Sequence, residues 1–425
     1  MSYMRIYSNF TDNDKSQQIM EKTKFQQNRR EFLKTGGIMI TGLLTLNTDL
    51  YSQKKGKTSY AVKDVRIDKE VSIEAENGTV GVFSGSPVQD LSKLKPYLPL
   101  IKQALQSKDI FDYNLHGELL WETVFPGKAK LFADGIDALT GEVIANKVRE
   151  SRHTPTGAIF AAFSTIDIAL WDLRGKLLGK PAYKIMGSTQ RDHVPVYWRP
   201  GEATMGLDEA CQRAKAAYEK GYHYQKWYFT KSSKDGKAGL KENIELARRL
   251  REELPDAHLM FDNHSIRYFA DVDYSLELCK AVAQYNPYWI EEPLCPECLD
   301  GYARIKGETG LKIAGGEHMY TRWPVKAFLD KKCIDFLQCD PTWCGGISEW
   351  LKICDLARAY PGVKVVPHIT SPWLVAPHCV ASQPESLCPI LEYNVEGGKD
   401  ALDDRMSKSA EGMVVMKMPE APGIS

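Results

Sequence analysis

From about residue 190 onward, short apolar runs that end in a polar or charged residue alternate with stretches whose apolar residues recur at helical spacing. The runs cover residues 193–198, 224–229, 258–262, 288–291, 312–317, 336–340, 363–368 and 389–392. Residues 243–254, 274–284 and 347–360 carry helical spacing between them. Strands alternating with helices predict a parallel sheet, and eight such units over residues 190–395 predict a (β/α) barrel. In such a barrel chemistry sits at the C-terminal ends of the strands, which is where the polar residues fall.

Residues 59–189 read differently. Residues 62–74 and 79–82 have strand character around a Glu76-Asn77-Gly78 turn, and helical spacing then runs over residues 157–187. This predicts an α+β capping domain, with residues 396–425 packing back towards it. Residues 1–58 are of another kind. Asn28-Arg29-Arg30-Glu31-Phe32-Leu33-Lys34 matches the twin-arginine export pattern, with Asn where Ser or Thr is usual, and an uncharged run over residues 35–48 follows. That run is shorter than the roughly 20 apolar residues a membrane span needs. The expectation is a signal segment read by the twin-arginine translocase and a periplasmic product, with no membrane attachment after processing.

Composition narrows the function. Lys+Arg and Asp+Glu both number 55, so the formal net charge is zero, which gives no reason to expect nucleic acid or an anionic membrane as partner. The ten cysteines are scattered apart from Cys295-Pro296-Glu297-Cys298. No second pair or histidine pair accompanies these two to build a zinc site, which leaves a disulfide or two ordinary loop thiols.

The chemistry lies in the strand ends. Asp262, Glu291, Glu317, Asp340, His368 and Glu392 follow one another at intervals of 29, 26, 23, 28 and 24 positions, each about one βα unit. Carboxylates converging on one barrel mouth repel unless neutralised, and a hard cation with oxygen ligands does that. The group Asp262-Asn263-His264, Trp289-Ile290-Glu291-Glu292-Pro293, Gly316-Glu317-His318, Asp340 and Pro367-His368 resembles the enolase superfamily, mandelate racemase subgroup. The segment Ala162-x-Ser164-x-Ile166-Asp167-x-Ala169-Leu170-x-Asp172-Leu173-x-Gly175-Lys176 looks like that subgroup's signature helix. Residues 316–323 and 343–349 look most like acid sugar dehydratases of the L-rhamnonate type. The resemblance covers about residues 60–425. It implies an α/β fold, an enolase-type modified TIM (β/α) barrel with an N-terminal α+β capping domain, and a homo-oligomer.

It further implies that Asp262, Glu291 and Glu317 bind one Mg²⁺ per subunit, and that His368, oriented by Asp340, is the general base. Glu392 would hydrogen-bond the substrate carboxylate as an enediolate develops, and Lys226 would contact the same carboxylate. The general acid that expels the β-hydroxyl is left among His264, which is ranked first, His318 and His368 acting twice. The racemases carry Lys-x-Lys on the second strand, whereas this chain has Lys226-Trp227-Tyr228, and an ordinary tyrosine is a poor base at neutral pH. The expected reaction is thus dehydration of an aldonate to a 2-keto-3-deoxy acid. A racemase, epimerase or cycloisomerase on a related acid is the alternative, and a non-catalytic sugar-acid binder the third. A metal-dependent hydrolase is disfavoured because residues 196–198 carry no His-x-His.

Overall fold

The computed structural model describes residues 60–85, 89–112, 120, 155–187, 189–201, 204–263, 271–369, 375–394 and 404–424. The export segment and the candidate acid His264 fall outside them. Residues 62–74 form two strands, not one. β1 (Val62–Ile67) turns at three consecutive charged residues, Asp68, Lys69 and Glu70, and returns as β2 (Val71–Ala75), followed by β3 (Val80–Phe83). All three turn residues are exposed, and a central strand has no face for such a run. The order β1-β2-β3 is antiparallel throughout. The β2–β3 turn is the expected one: Gly78 has φ +82°, and its N–H donates to Ala75 O at 2.9 Å.

Helix α1 (Leu98–Leu105) leans on β1, and α2 (Pro155–Leu178) crosses β2 and β3. The helical pattern read to residue 187 is broken after 178, where Gly179 takes φ +63° and Pro181 follows, and resumes as one short helical turn over Tyr183–Met186. Residues 159–175 are buried all round, as befits a helix packed on two sides. A Cβ at Gly81 of β3 would come within 2.3 Å of Ala169 O, so the sheet rests directly on the helix backbone. On the other side the polar residues of the signature segment serve a barrel helix, described below.

The barrel alternates β4 (His193–Arg199), α3 (Leu207–Glu219), β5 (Tyr224–Tyr228), α4 (Gly236–Glu253), β6 (His258–Asp262), α5 (Val272–Val282), β7 (Trp289–Glu291), α6 (Leu299–Thr309), β8 (Ile313–Gly315), α7 (Arg322–Asp330), β9 (Phe336–Leu337), α8 (Ile347–Arg358), β10 (Lys364–Val365), α9 (Val375–Ala381) and β11 (Leu391–Asn394). Strands β4 to β10 pair in sequence and in parallel, and β11 returns to β4, also in parallel. Tyr197, Met260, Trp289, Ala314, Phe336, Val366 and Ile390 form one buried layer inside. The tail hairpin, β12 (Met406–Lys408) and β13 (Val414–Lys417), pairs antiparallel with the start of β4. Beyond it the chain reaches α2, where Ile424 N–H donates to Asp172 Oδ1 at 3.0 Å.

Candidate active site

Side chains on a strand return to the same face every second residue. Moving two residues on from the apolar layer therefore names the next layer towards the C-terminal mouth. Tyr197 leads to Arg199, Met260 to Asp262, Trp289 to Glu291, Phe336 to Gln338, Val366 to His368 and Ile390 to Glu392. Tyr224, packed against the same layer, leads to Lys226. Hydrophobic residues thus seal the barrel floor, and a polar layer of ionisable side chains lies directly above it. Register aligns Tyr228 with Asp262 and Asp262 with Glu291.

Lys226 stands at the centre of one half of this layer. Its Nζ lies 2.8 Å from Glu291 Oε1, 3.2 Å from Glu392 Oε1 and 3.5 Å from Asp262 Oδ2, and it is buried. Burial opposes its charge, but these carboxylates outweigh burial and hold the ammonium well above the usual lysine range. One ammonium does not neutralise all of them. Burial first, then the Asp262 charge, pushes the Glu291 carboxyl up to about 8 against the pull of Lys226. Gln338 Nε2 donates to Glu291 Oε2 at 2.6 Å and fixes its orientation. Crowded, buried carboxylate oxygens of this kind are the donor set that a hard cation takes.

Glu392 behaves otherwise. Burial would raise its carboxyl, yet Lys226, Arg199 and His368 draw it down to about 2. Arg199 Nε lies 2.6 Å from Glu392 Oε1, and the Ile369 N–H donates to Oε2 at 3.0 Å. In this state Glu392 is an ionised acceptor and not a hydrogen-bond donor. Arg199 also donates through Nη1 to the Tyr228 hydroxyl at 2.9 Å. Burial pushes that hydroxyl up to about 12, opposed by Arg199 and Lys226. Tyr228 therefore stays protonated at neutral pH even more firmly than an ordinary tyrosine and offers no tyrosinate to act as a base.

The other half of the layer is a line of imidazoles and carboxylates. His368 Nδ1 lies 3.0 Å from Asp340 Oδ2, while Asp340 Oδ1 accepts from Thr342 N and Oγ1, each at 2.7 Å. The Asp340 carboxylate is held in place and in turn orients the ring. Burial would favour neutral His368, but Glu317 and the Asp340 hydrogen bond outweigh it and lift its pKa above the ordinary 6.5. Nε2 is turned to the interior, 3.5 Å from Glu317 Oε2. Glu317 Oε1 lies 3.3 Å from His318 Nδ1, which is also 3.5 Å from Glu292 Oε2. One ligand atom each from Glu292, Glu317 and His318 falls within 4.8 Å of the others. The two adjacent glutamates thus have different partners, Glu291 with Lys226 and Gln338, Glu292 with His318. Glu292 has φ +39°, which turns the chain where β7 ends. Trp343 covers both rings, 4.9 Å from His368 and 5.8 Å from His318 between centroids.

Every described residue singled out from sequence as a candidate lies in or beside this layer. Arg199 and Gln338 were not singled out. The signal for both was the two-residue step from the barrel's aromatic layer, and the first run was ended at Trp198, one residue short of Arg199.

Comparison with known proteins gives the same picture. An L-rhamnonate dehydratase of Saccharopolyspora erythraea is 32% identical over 307 residues, 71% of this chain and 67% of that protein. The rhamnonate dehydratase from Gibberella zeae complexed with Mg is 29% identical, with a TM-score of 0.63 over 84% of this chain and 78% of that one. The 3,6-anhydro-D-galactonate cycloisomerase from Zobellia galactanivorans shares the fold at 24% identity, with a TM-score of 0.61 over 86% and 95% of the two chains. Residues 209–425, more than half of the chain, match the family described as enolase C-terminal domain-like. With a barrel of this topology, a separate cap sheet and this arrangement of strand-end carboxylates and imidazoles, the chain belongs to the enolase superfamily.

Proposed function

We propose that the protein is a Mg²⁺-dependent acid sugar dehydratase, removing water from a rhamnonate-like aldonate to give a 2-keto-3-deoxy acid. The observation that carries this reading is the pairing of one oriented base, His368 on Asp340, with a buried carboxylate cluster in the same polar layer. The likeness to rhamnonate dehydratases, one complexed with Mg, supports it. Asp262, Glu291 and Glu317 hold the ion. When bound, Mg²⁺ supplies the positive charge that stabilises the substrate carboxylate as negative charge builds on it.

The protein's own groups do the rest. Lys226 fixes the substrate carboxylate. His368 takes the α-proton at Nε2, since Nδ1 is committed to Asp340. The β-hydroxyl leaves as water on receiving a proton from His264, His318 or His368, and single replacements of the first two distinguish these donors. Racemisation needs a second base on the opposite face; Tyr228, with its raised pKa and its hydrogen bond to Arg199, is unsuited to that role. The Arg29–Arg30 pair and the uncharged run after it support export, so the reaction is assigned to the periplasm.

The test is a screen against aldonates, including both enantiomers of rhamnonate, fuconate and galactonate, with semicarbazide reporting any 2-keto product. The expected hit requires Mg²⁺ and disappears in His368→Asn. A 2-keto product formed equally well by that variant, or silence with every acid in the presence of Mg²⁺, overturns the proposal.

A further inference from the structure

Eight of the ten cysteines, at positions 211, 279, 333, 339, 344, 354, 379 and 388, are buried. Cys295 and Cys298 differ in being partly exposed, and their Sγ atoms lie 3.0 Å apart. They occupy the loop from β7 to α6, beginning three residues after Glu292. The Cys298 N–H donates to Cys295 O at 3.0 Å, so the four residues form a hydrogen-bonded turn. Such a turn brings its outer Cα atoms within about 7 Å, overlapping the roughly 4.4–6.8 Å that a disulfide spans.

The surroundings hold this turn in place. Tyr302, one turn into α6, donates its N–H to Cys298 O at 3.0 Å and its hydroxyl to Leu294 O at 2.8 Å. Ser275 Oγ donates to Pro293 O at 2.8 Å. Both ends of the Cys-Pro-Glu-Cys segment are therefore anchored, and bond formation needs only side-chain adjustment. Cys354 and Cys388 are also hydrogen-bonded neighbours, but both are fully buried and closed to an external reagent.

We propose that Cys295 and Cys298 are a redox-modification site, closed to an internal disulfide by exchange with a disulfide oxidant and reopened by thiols. Either thiol can be the donor in the Sγ–Sγ contact, so either can lose its proton and act as the first nucleophile, here taken as Cys295. The Cys295 thiolate attacks one sulfur of the oxidant, breaking its S–S bond and releasing one thiolate. Cys298 then loses its proton and attacks the mixed disulfide at the Cys295 sulfur, releasing the second thiolate. Two protein thiols are oxidised, one external disulfide is reduced to two thiols, and the two protons pass to the released thiolates. The closed loop is short, so cross-linking it removes little freedom from the unfolded chain. That suits a reversible modification better than a stabilising staple.

The test equilibrates the folded full-length protein in glutathione buffers of increasing oxidised fraction, then quenches with acid, alkylates and digests with trypsin. The tryptic peptide of residues 281–304 contains both cysteines. It is expected to lose the mass of two hydrogen atoms and both alkylation sites, and to recover them with dithiothreitol. The eight buried cysteines are expected to alkylate only after denaturation. Cys298→Ser and Cys295→Ser are each expected to accumulate glutathione on the remaining cysteine, with no internal bond. Full alkylation of both cysteines across the whole range, or glutathione on the wild-type pair with no internal bond, overturns the proposal.

Discussion

His368 is where the chemistry of the site is set by single side chains. As the proposed base it must be neutral, and its neighbours raise its pKa above 6.5, Glu317 by charge and Asp340 by a hydrogen bond as well. Activity is therefore predicted to fall as pH drops and the ring protonates, which the acid limb of kcat/KM reads. Asp340→Asn removes the charge and leaves a neutral amide beside Nδ1. The acid limb then moves to lower pH while the plateau falls by about 10³-fold, because a less basic and less well oriented ring abstracts the proton. A pH–rate profile of the two proteins checks both parts. An unshifted limb would mean that the titrating group is not His368. Arg199 works in the opposite sense, keeping Glu392 ionised from 2.6 Å away.

At the scale of elements, the signature helix α2 is also a capping device for the barrel. The N-terminus of α8 follows Gly345 and Gly346, which carry no side chain to cap it. Its amides are satisfied by α2 instead. Ser164 Oγ accepts from Gly345 N at 3.0 Å, Asp167 Oδ2 accepts from Ser348 N at 2.8 Å, and the Trp171 indole donates to Ser348 Oγ at 2.9 Å. A carboxylate here meets both the orphan N–H groups and the positive end of the helix. Asp167→Ala is predicted to cost about 1–2 kcal/mol in denaturant unfolding, and Asp167→Asn less, since an amide oxygen still accepts. Gly346→Ala is predicted to cost more. Its φ is +95°, and a Cβ would sit 2.4 Å from the Asp167 side chain. Equal stability of Asp167→Ala and the wild type would contradict this role. Because α8 follows the loop that carries Asp340 and Trp343, the same contacts hold the far wall of the site.

Across the whole molecule, the sequence was most legible where burial leaves one solution. The β6 run matches its strand residue for residue, because a parallel strand buried on both faces reads as an apolar stretch ending at the mouth. Asp262, Glu291 and His368 stood out because a charged or titratable side chain closes such a run. Gln338 did not, being an uncharged amide two residues before the more conspicuous Asp340. The cap hairpin was merged into one strand because the apolar spacing of Val65, Ile67, Val71 and Ile73 continues across its turn. The partners of Glu291 and Glu292 could not be read from adjacent letters. They depend on a positive φ at Glu292, on Lys226 of β5 and on side chains just beyond the ends of β8 and β9.

On the proposed reading, this barrel mouth removes an α-proton through His368 and then expels water. The most direct test runs the reaction in D₂O with Mg²⁺ and an aldonate that gives product in the screen, and follows substrate and product by NMR. A 2-keto-3-deoxy acid with one solvent deuteron at C3 is expected, with neither product nor exchange in His368→Asn. Deuterium at C2 of recovered substrate with no loss of water would contradict it, assigning the site to an epimerase or another isomerase.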